Sequence, residues 1–486
     1  MKLNNFYTML KKMVIFWSVL PLFIISSECE NDLRARTIFV PRSLTCNGVL
    51  EFAFNNYHIY HSMLNYYEDF SLGFYVTPFY MGTTNNDFLT NYFLSSSLSS
   101  VAVKQDGTGN VGSQWIGLTG TDEISFSSQL CMRPTRSVGG LHSLLYINLD
   151  PLCYNLWASV SFVFARVQQS LNLQESNLVI EGTGNFKTAT EAFNNSDWNF
   201  AKLNCESMHK SGVDDVQLKL GYNWYWDDEN HFGLYTLATI PTGKKENIEY
   251  LFEPIIGSRH ASFGVGLFAD FGGWINDDHF LNWMTTCDYR YVFSAKEMRT
   301  FNLCNNGQWS RYLQIVAAGN STEPFPGVNC LTKEVSVCPN SQFQLWSAIH
   351  YEFCNWGIEV GYNYWWRNHE TIHDIACQNN IAIFDITANP IENAVSASQA
   401  TICQAATGPN KVPSDTVFTP ITAQNFNLDS AAHPRASTHT VYGALCYTGE
   451  VDNCPGTIGV GGSYEFARDS AAFEQWGIWL KLGIGF

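Results

Sequence analysis

Residues 369–373 have the spacing of a zinc protease motif. In HExxH, two histidines four residues apart on one helix face bind zinc, and the glutamate activates a bound water. His369, Glu370 and His373 fill these positions, and Glu392 is a candidate third ligand. The chemistry needs a helix, yet this motif directly follows a strand pattern. We therefore expect a loop, no metal site and no enzyme activity, and we keep a zinc-dependent protease as the lesser alternative.

A second group of residues could act on solutes by charge. Six charged side chains lie on the small, polar faces of segments whose residues alternate in polarity, and they are candidates for a water-filled lumen: Lys219, Glu359, Arg367, Asp270, Asp288 and Arg290. Rings of charge at a constriction select the ions or solutes that pass. The alternative is that these charges are solvated or paired with one another. The sequence leaves both interpretations open.

The elements that would position these charges are long strands. In residues 356–366 one face carries Trp, Ile, Val, Tyr, Tyr and Trp, and the other carries Gly, Glu, Gly, Asn and Trp. Ten residues of a tilted strand climb roughly 24 Å, close to the ~25 Å apolar band of a transmembrane barrel. Strands of a soluble sandwich average about half that length. Five tryptophans are predicted to form the aromatic girdles: Trp224, Trp226, Trp356, Trp366 and Trp476.

These patterns predict an all-β fold with a single closed antiparallel transmembrane β-barrel of about 16 strands, within a range of 14–18. Short periplasmic turns, among them 120–122 and 257–259, and long extracellular loops are expected to connect them. The connection 295–306 is the exception, because it is long and falls on the periplasmic side. The sixteen predicted strands are 70–81, 111–118, 123–133, 139–150, 155–168, 213–226, 231–241, 249–256, 260–272, 280–294, 307–317, 342–353, 355–367, 437–447, 457–467 and 475–486.

The beginning of the sequence predicts export. Residues 1–27 combine Lys11 and Lys12 with the apolar run that follows them and small serines, which is typical of a signal peptide. Residues 28–69 are predicted to be a periplasmic tail or a plug in the lumen, and the sequence does not decide between the two. Residues 70–486 are predicted to form the barrel.

Composition restricts the partners. The formal net charge is −17 and no Lys/Arg cluster occurs, which argues against nucleic acid. Fourteen cysteines in an exported chain favour disulfides. Three pairs lie close in sequence: Cys330 with Cys338, Cys377 with Cys403, and Cys446 with Cys454. No residue pattern indicates a cofactor.

The final strand, WGIWLKLGIGF, resembles that of Gram-negative outer-membrane β-barrel and porin-like proteins. The resemblance implies that Phe486, Ile484 and Leu482 form the signal read by the barrel-assembly machinery. The sequence departs from the common pattern at Lys481, where the class usually has glycine. The subfamily is not identified by these residues.

The resemblance also implies a location in the cell outer membrane, contact with its lipid and passive passage of small solutes. A homo-oligomer is open by analogy. The alternative function is a non-conducting surface adhesin or a Cys-linked structural envelope protein. The solute, the selectivity and the role of residues 368–436 do not follow from the sequence.

Overall fold

The structure is a computed structural model. It describes residues 35–54, 71–84, 86–94, 99–226, 230–244, 247–276, 279–376, 380–387, 396–415, 417–452 and 454–486. The predicted signal peptide, residues 1–27, and the rest of the predicted N-terminal segment, 28–34 and 55–69, lie outside the described residues. So do Cys29, Cys377 and Glu392.

Twelve strands form the central sheet. In chain order they are β1 (Leu72–Thr83), β2 (Thr135–Asn148), β3 (Leu156–Ser170), β4 (Val216–Trp226), β5 (Asn230–Ile240), β6 (Ser262–Asn276), β7 (His279–Val292), β8 (Asn340–Phe353), β9 (Trp356–Arg367), β10 (Ala436–Val451), β11 (Cys454–Ala467) and β12 (Gln475–Gly485).

The sheet closes into a barrel. Each strand pairs antiparallel with the next in sequence, and β12 returns to pair with β1, where Phe79 lies opposite Trp479. Closure removes the two free edges that an open sheet would expose. One further strand, Met208–Val213, pairs with β3 on the outside of this ring. The predicted all-β, closed antiparallel barrel is confirmed.

The predicted count of about 16 strands, with its range of 14–18, is wrong, because the barrel has 12. Four predicted strands lie elsewhere. Residues 111–118 form a two-residue strand and a 3₁₀ turn, and residues 123–133 pair with Ser100–Lys104 in a separate sheet. Residues 249–256 contain only an isolated bridge, and residues 307–317 form a 3₁₀ turn and a short strand. The other twelve predicted strands overlap β1 to β12.

Turns of a few residues join the strands at one end of the barrel, for example Cys354 and Asn355 between β8 and β9. Six longer connections lie at the other end: 84–134, 171–215, 241–261, 293–339, 368–435 and 468–474. The turns predicted at 257–259 and 120–122 are therefore wrong, since both lie within long connections.

We call the six long connections the cap. They fold against one another around a shared hydrophobic core that includes Trp115, Trp198, Trp309, Phe252 and Phe426. Small sheets link different connections, as where Thr332–Cys338 pairs with both Ala295–Thr300 and Thr371–His373. The cap is thus a packed structure.

The remaining cap strands are short. They are Val111–Gly112, Ser127–Cys131, Gln174–Ser176, Asn302–Leu303, Gln314–Ala317, Asn320–Pro326, Ile381–Ile383 and Phe426–Asn427.

The helices are short as well. They are α1 (Gly48–Phe52), α2 (Asn86–Phe93), α3 (Ala189–Phe193), α4 (Gly327–Cys330) and α5 (Leu428–Ala431), with 3₁₀ turns at Ser113–Ile116, Ser310–Tyr312 and Ala423–Asn425. Within the described ranges, no helix is long and apolar enough to cross a membrane.

The disulfide prediction is not supported by the described residues. No disulfide joins any two of the twelve cysteines in the described part of the chain, and Cys330, Cys338, Cys446 and Cys454 are among them. The pairing of Cys377 with Cys403 stays a prediction, because Cys377 lies outside the described ranges.

Candidate functional site

The candidate site is the barrel lumen. Alternation along each strand sends one set of side chains into it and the other set outward. The predicted lumen charges Lys219, Glu359, Arg367, Asp288 and Arg290 all point inward and are buried. Asp270 lies on the inward face of β6 and is half-buried.

The lumen also holds a piece of the chain from before β1. Residues 43–54, which we call the lumen segment, contain helix α1, whose N-terminus is capped by the Asn47 side chain accepting from the Val49 N–H. The helix lies close to the inner wall of the barrel: a Cβ atom on Gly48 would lie 2.5 Å from the side chains of Gln344 and Asn363. Any larger residue there would require the side chains of Gln344 and Asn363 to move.

Charged and polar wall residues bind this segment. Lys219 on β4 forms a buried ion pair with Glu51, and Gln217 donates to the same carboxylate at 3.2 Å. Lys481 on β12, four strands away around the ring, donates to the backbone carbonyl oxygens of Glu51 and Ala53. The segment is therefore held from two separate parts of the wall.

Glu359 on β9 holds the end of the segment. Its carboxylate accepts from the Phe54 backbone N–H at 3.1 Å and from the Tyr442 hydroxyl at 2.6 Å. His350 lies 3.5 Å from the other carboxylate oxygen. A buried carboxylate with these partners acts as a structural anchor in this arrangement.

The side chain of Arg290 on β7 contacts another predicted lumen charge, a polar residue of the wall and the lumen segment. Its guanidinium donates to Asp288 at 2.9 Å, to Gln217 at 3.0 Å and to the Cys46 thiol at 2.8 Å. The structure therefore brings Asp288 and Arg290 together as a pair. Gln217, which accepts from Arg290, also donates to Glu51, the partner of Lys219, and so links Lys219 to this pair.

At the cap end, the segment is held by an acidic residue that ends the 171–215 connection. Asp214 accepts hydrogen bonds from the Ser43 hydroxyl at 2.9 Å and from the Thr45 backbone N–H at 2.8 Å. Burial, together with the adjacent carboxylate of Asp215, raises the pKa of Asp214 to about 6.

Glu370 of the predicted HETIH motif belongs to an ion-pair network beneath the cap. It lies 3.1 Å from Arg299 and 2.8 Å from Arg367, and it accepts from the His433 backbone N–H at 2.9 Å. Burial alone would raise the pKa of Glu370, but the charges of Arg299 and Arg367 outweigh it and lower the pKa to about 2.

The network continues to a second carboxylate. Glu297 contacts Arg299, Arg259 at 2.8 Å and His260 at 3.0 Å. Burial opposes ionisation, but the charge of Arg299 above all, the hydrogen bond with His260 and the charge of Arg259 hold the pKa of Glu297 well below its usual range. The two glutamates tie the 241–261, 293–339 and 368–435 connections together.

The HETIH residues do not have the geometry that the protease motif needs. His373 ends the short strand Thr371–His373 rather than lying on a helix, and both His369 and His373 are exposed while Glu370 is buried. No cluster of metal-ligating side chains occurs among the described residues. Glu392 lies outside them.

A cavity of about 130 Å³ lies beside the lumen segment, between it and strands β2 to β8. Its acidic and basic lining residues are Glu51, Asp270, Lys219 and His231. Its aromatic lining residues are Phe52, Tyr146, Trp157, Tyr235, Phe268 and Trp346.

Four of the five predicted girdle residues lie on the outward face. Trp224, Trp356 and Trp476 are exposed, and Trp366 is half-buried. The side chain of Trp226 lies outside the described part of the chain. Their role as girdles, and the role of Phe486, Ile484 and Leu482 as an assembly signal, stay predictions.

Several site residues were not predicted. Lys481 alternates with outward apolar residues in β12, so the inward-face argument that selected Lys219 could have found it. Glu51 and Phe52 lie in a segment whose location the sequence left undecided. Trp157 and Phe268 look like ordinary strand aromatics until closure brings β3 and β6 into one cavity.

With this geometry established, the chain was compared with known proteins. No family model matches it, and no curated protein does. Its similarities are to solved outer-membrane β-barrels.

An outer-membrane channel from Pseudomonas putida F1 has 10% identity and a TM-score of 0.38, covering 86% of this chain and 96% of that one. A Pseudomonas aeruginosa FadL homologue has 9% identity and a TM-score of 0.25, covering 86% and 89%. The KdgM porin has 8% identity and a TM-score of 0.24, covering 80% and 98%. The subfamily of this chain is not identified by these similarities.

Proposed function

We propose that this chain is a porin-like outer-membrane channel for small solutes, closed in the present structure by its lumen segment. The observation that carries the proposal is the contrast between the two faces of one closed barrel. The inner face bears charged and polar side chains, and the outer face is apolar. A closed barrel satisfies every backbone hydrogen bond in the sheet, which a lipid environment requires.

The apolar outer face is continuous around the ring. Each of the twelve strands exposes at least one large apolar residue, and one from each strand in order is Phe74, Leu141, Phe162, Leu220, Phe232, Val265, Tyr289, Ile349, Val360, Val441, Val460 and Ile478. A soluble monomer rarely exposes an apolar patch larger than a few hundred Å². Lipid is the partner that this surface fits.

Because the lumen segment occupies the lumen, the proposed channel is a gated one. The lumen segment contacts inward residues of β4, β7, β8, β9 and β12, and in this proposal it moves before a solute passes. Lys219, Glu359 and Arg290 act in this proposal first as the seat of the segment. They would line the path once it has moved.

The proposal also states which compartment each end of the barrel faces. The cap would face the outside of the cell and the short turns the periplasm, as is usual for this class of barrel. Residues 1–27 would direct export and Phe486 would be read by the assembly machinery. Association into a homo-oligomer is compatible with the apolar outer face.

A second candidate is a non-conducting surface or structural protein. The packed cap favours it, because all six long connections contribute to one hydrophobic core above the lumen. In that case the cap surface would contact neighbouring molecules, and the barrel would serve as an anchor.

Solute flux separates the two candidates. Purified protein would be reconstituted into liposomes, and swelling would be followed in isotonic solutions of small neutral and charged solutes. We expect swelling faster than that of protein-free liposomes, and faster again with Glu51→Lys, which places a cation beside Lys219. Swelling that matches protein-free liposomes for both forms would overturn the channel and favour the surface protein.

A further inference from the structure

The cavity beside the lumen segment has the composition of a ligand site. Four of its aromatic side chains lie next to one another: Trp157 lies 5.3 Å from Tyr146, 6.0 Å from Tyr235 and 5.8 Å from Phe268, measured between ring centroids. Its volume of about 130 Å³ is close to the ~150 Å³ of a protein cavity known to hold benzene. A ligand body of about one aromatic ring therefore fits.

The rings are held flat against the barrel wall by glycines. A Cβ atom on Gly221 would lie 2.2 Å from the Trp157 indole, and one on Gly266 would lie 2.2 Å from the Tyr235 ring. Each ring thus occupies the space over a residue without a side chain on the neighbouring strand. This arrangement keeps ring surface on the wall and leaves the centre of the cavity open.

One acidic group of the lining is not paired with the lysine of the lining. Lys219 is already paired with Glu51, so the carboxyl group of Asp270 is the remaining acidic group. One of its oxygens, Oδ1, is buried and has no hydrogen bond of normal geometry within the described residues, and the side chain of Asn282 is the polar neighbour of this carboxyl group. His231 is the other titratable group of the lining, and its Nε2 lies 2.8 Å from Asn223.

The aromatic lining already attracts a cation. The Lys219 ammonium lies 4.5 Å from the centre of the Phe52 ring and 4.8 Å from that of Tyr235. Aromatic faces attract cations electrostatically, and more strongly where water is excluded. The ammonium group of a ligand in the cavity would meet the same kind of aromatic surface, and it would lie beside the carboxyl group of Asp270.

We propose that this cavity binds a small organic cation: a protonated primary amine with a body of about one aromatic ring. Its ammonium group would donate to Asp270, and its body would pack against Trp157, Tyr235 and Phe268. A neutral ligand of the same shape could offer the carboxyl group only a weaker, uncharged hydrogen bond, and an anion would meet two acidic groups. The inference rests on the proposed function only in making this ligand a solute of the channel.

Benzylammonium is the probe, with benzyl alcohol and benzoate as neutral and anionic molecules of similar shape. Binding to the refolded full-length chain in detergent would be measured by calorimetry. We expect benzylammonium to bind at least about tenfold more tightly than benzyl alcohol, and benzoate to give no measurable heat. Equal affinity for benzylammonium and benzyl alcohol in the unaltered protein would overturn the proposal, with no variant required.

Asp270→Asn keeps the shape of the side chain and removes its charge, and it should reduce benzylammonium affinity at least about tenfold. Glu465→Gln is the matched control, since Glu465 is also a buried inward acid but pairs with Arg42 away from this cavity. Unchanged affinity in Asp270→Asn, or an equal loss in both variants, would overturn the proposal.

The result also separates this inference from the proposed function. Selective binding without solute flux would retain the site and reject the channel. Flux without selective binding would retain the channel and reject the site.

Discussion

The charged residues inside this protein take their partners from distant parts of the chain. The alternating pattern of β4 and β9 predicts that Lys219 and Glu359 face inward, and they do. It cannot predict that Lys219 pairs with Glu51, 168 positions away, or that Glu359 accepts from the Phe54 N–H. Periodicity reports the face on which a residue lies, while pairing depends on where a separate segment packs.

At the scale of single residues, breaking the ion-pair network around Glu370 should lower the free energy of unfolding. Glu370→Gln leaves the charge of Arg367 without its carboxylate and Arg299 with Glu297 alone, and breaking a buried pair costs about 3–5 kcal/mol. We expect that loss in urea unfolding of the refolded protein. The matched control is Glu334→Gln, whose partner Lys296 is 3.8 Å away and exposed, and it should have little effect. Equal, small effects from both variants would contradict this account.

The same network predicts how the cap responds to acid. The pKa of Glu370 is lowered from 4.5 to about 2, so the stabilisation from its ionised form is present above pH 4.5. It is lost as the pH falls from about 4.5 to about 2. Glu297 shifts in the same direction. Over that interval the protection of the 293–339 and 368–435 connections against hydrogen exchange, corrected for the pH dependence of the intrinsic rate, should fall in the unaltered protein and much less in Glu370→Gln.

The strands show what alternation can predict and where it misleads. Twelve predicted strands overlap the barrel because each has one buried face and one apolar, exposed face. The four wrong ones come from the cap, where Ser127–Cys131 also alternates between buried and half-buried residues. Alternation indicates a strand with two different environments, but it does not reveal whether one of them is lipid.

Counting those four as barrel strands also produced an anomaly. With them, the connection at 295–306 fell on the side predicted to have short turns. In the structure, residues 293–339 form one connection at the cap end, so the irregularity disappears.

The outward face of β9 gives a test of the membrane assignment. Val360→Arg places a charge at an outward position on the barrel, and near the bilayer midplane this costs about 2–4 kcal/mol. Val417→Arg is the control, because Val417 is an exposed valine in the cap, 71% accessible compared with 62% for Val360. Refolding into lipid vesicles, followed by heat-modifiable migration, should be impaired only for Val360→Arg. Equal refolding yields would contradict a lipid-facing β9.

At the scale of the whole molecule, strand number and lumen contents go together. Barrels of 16–18 strands enclose an aqueous channel, while an interior of about eight strands is filled by side chains. A barrel of the predicted 16 strands is wide enough for an aqueous channel, and the sequence left open whether residues 28–69 plug it. The observed 12 enclose a narrower space, and the lumen segment and aromatic side chains occupy much of it. The sequence could not reveal this because both the ring size and the segment's position depend on long-range packing.

The central claim is that the lumen segment closes a channel, and single-channel conductance in a planar bilayer tests it directly. The unaltered protein should conduct rarely, and Glu51→Lys should open more often and longer because Lys219 repels the new cation. Combining Glu51→Lys with Lys219→Glu restores an opposite-charge pair and should return the record toward that of the unaltered protein. Equal conductance in all three forms would contradict the account.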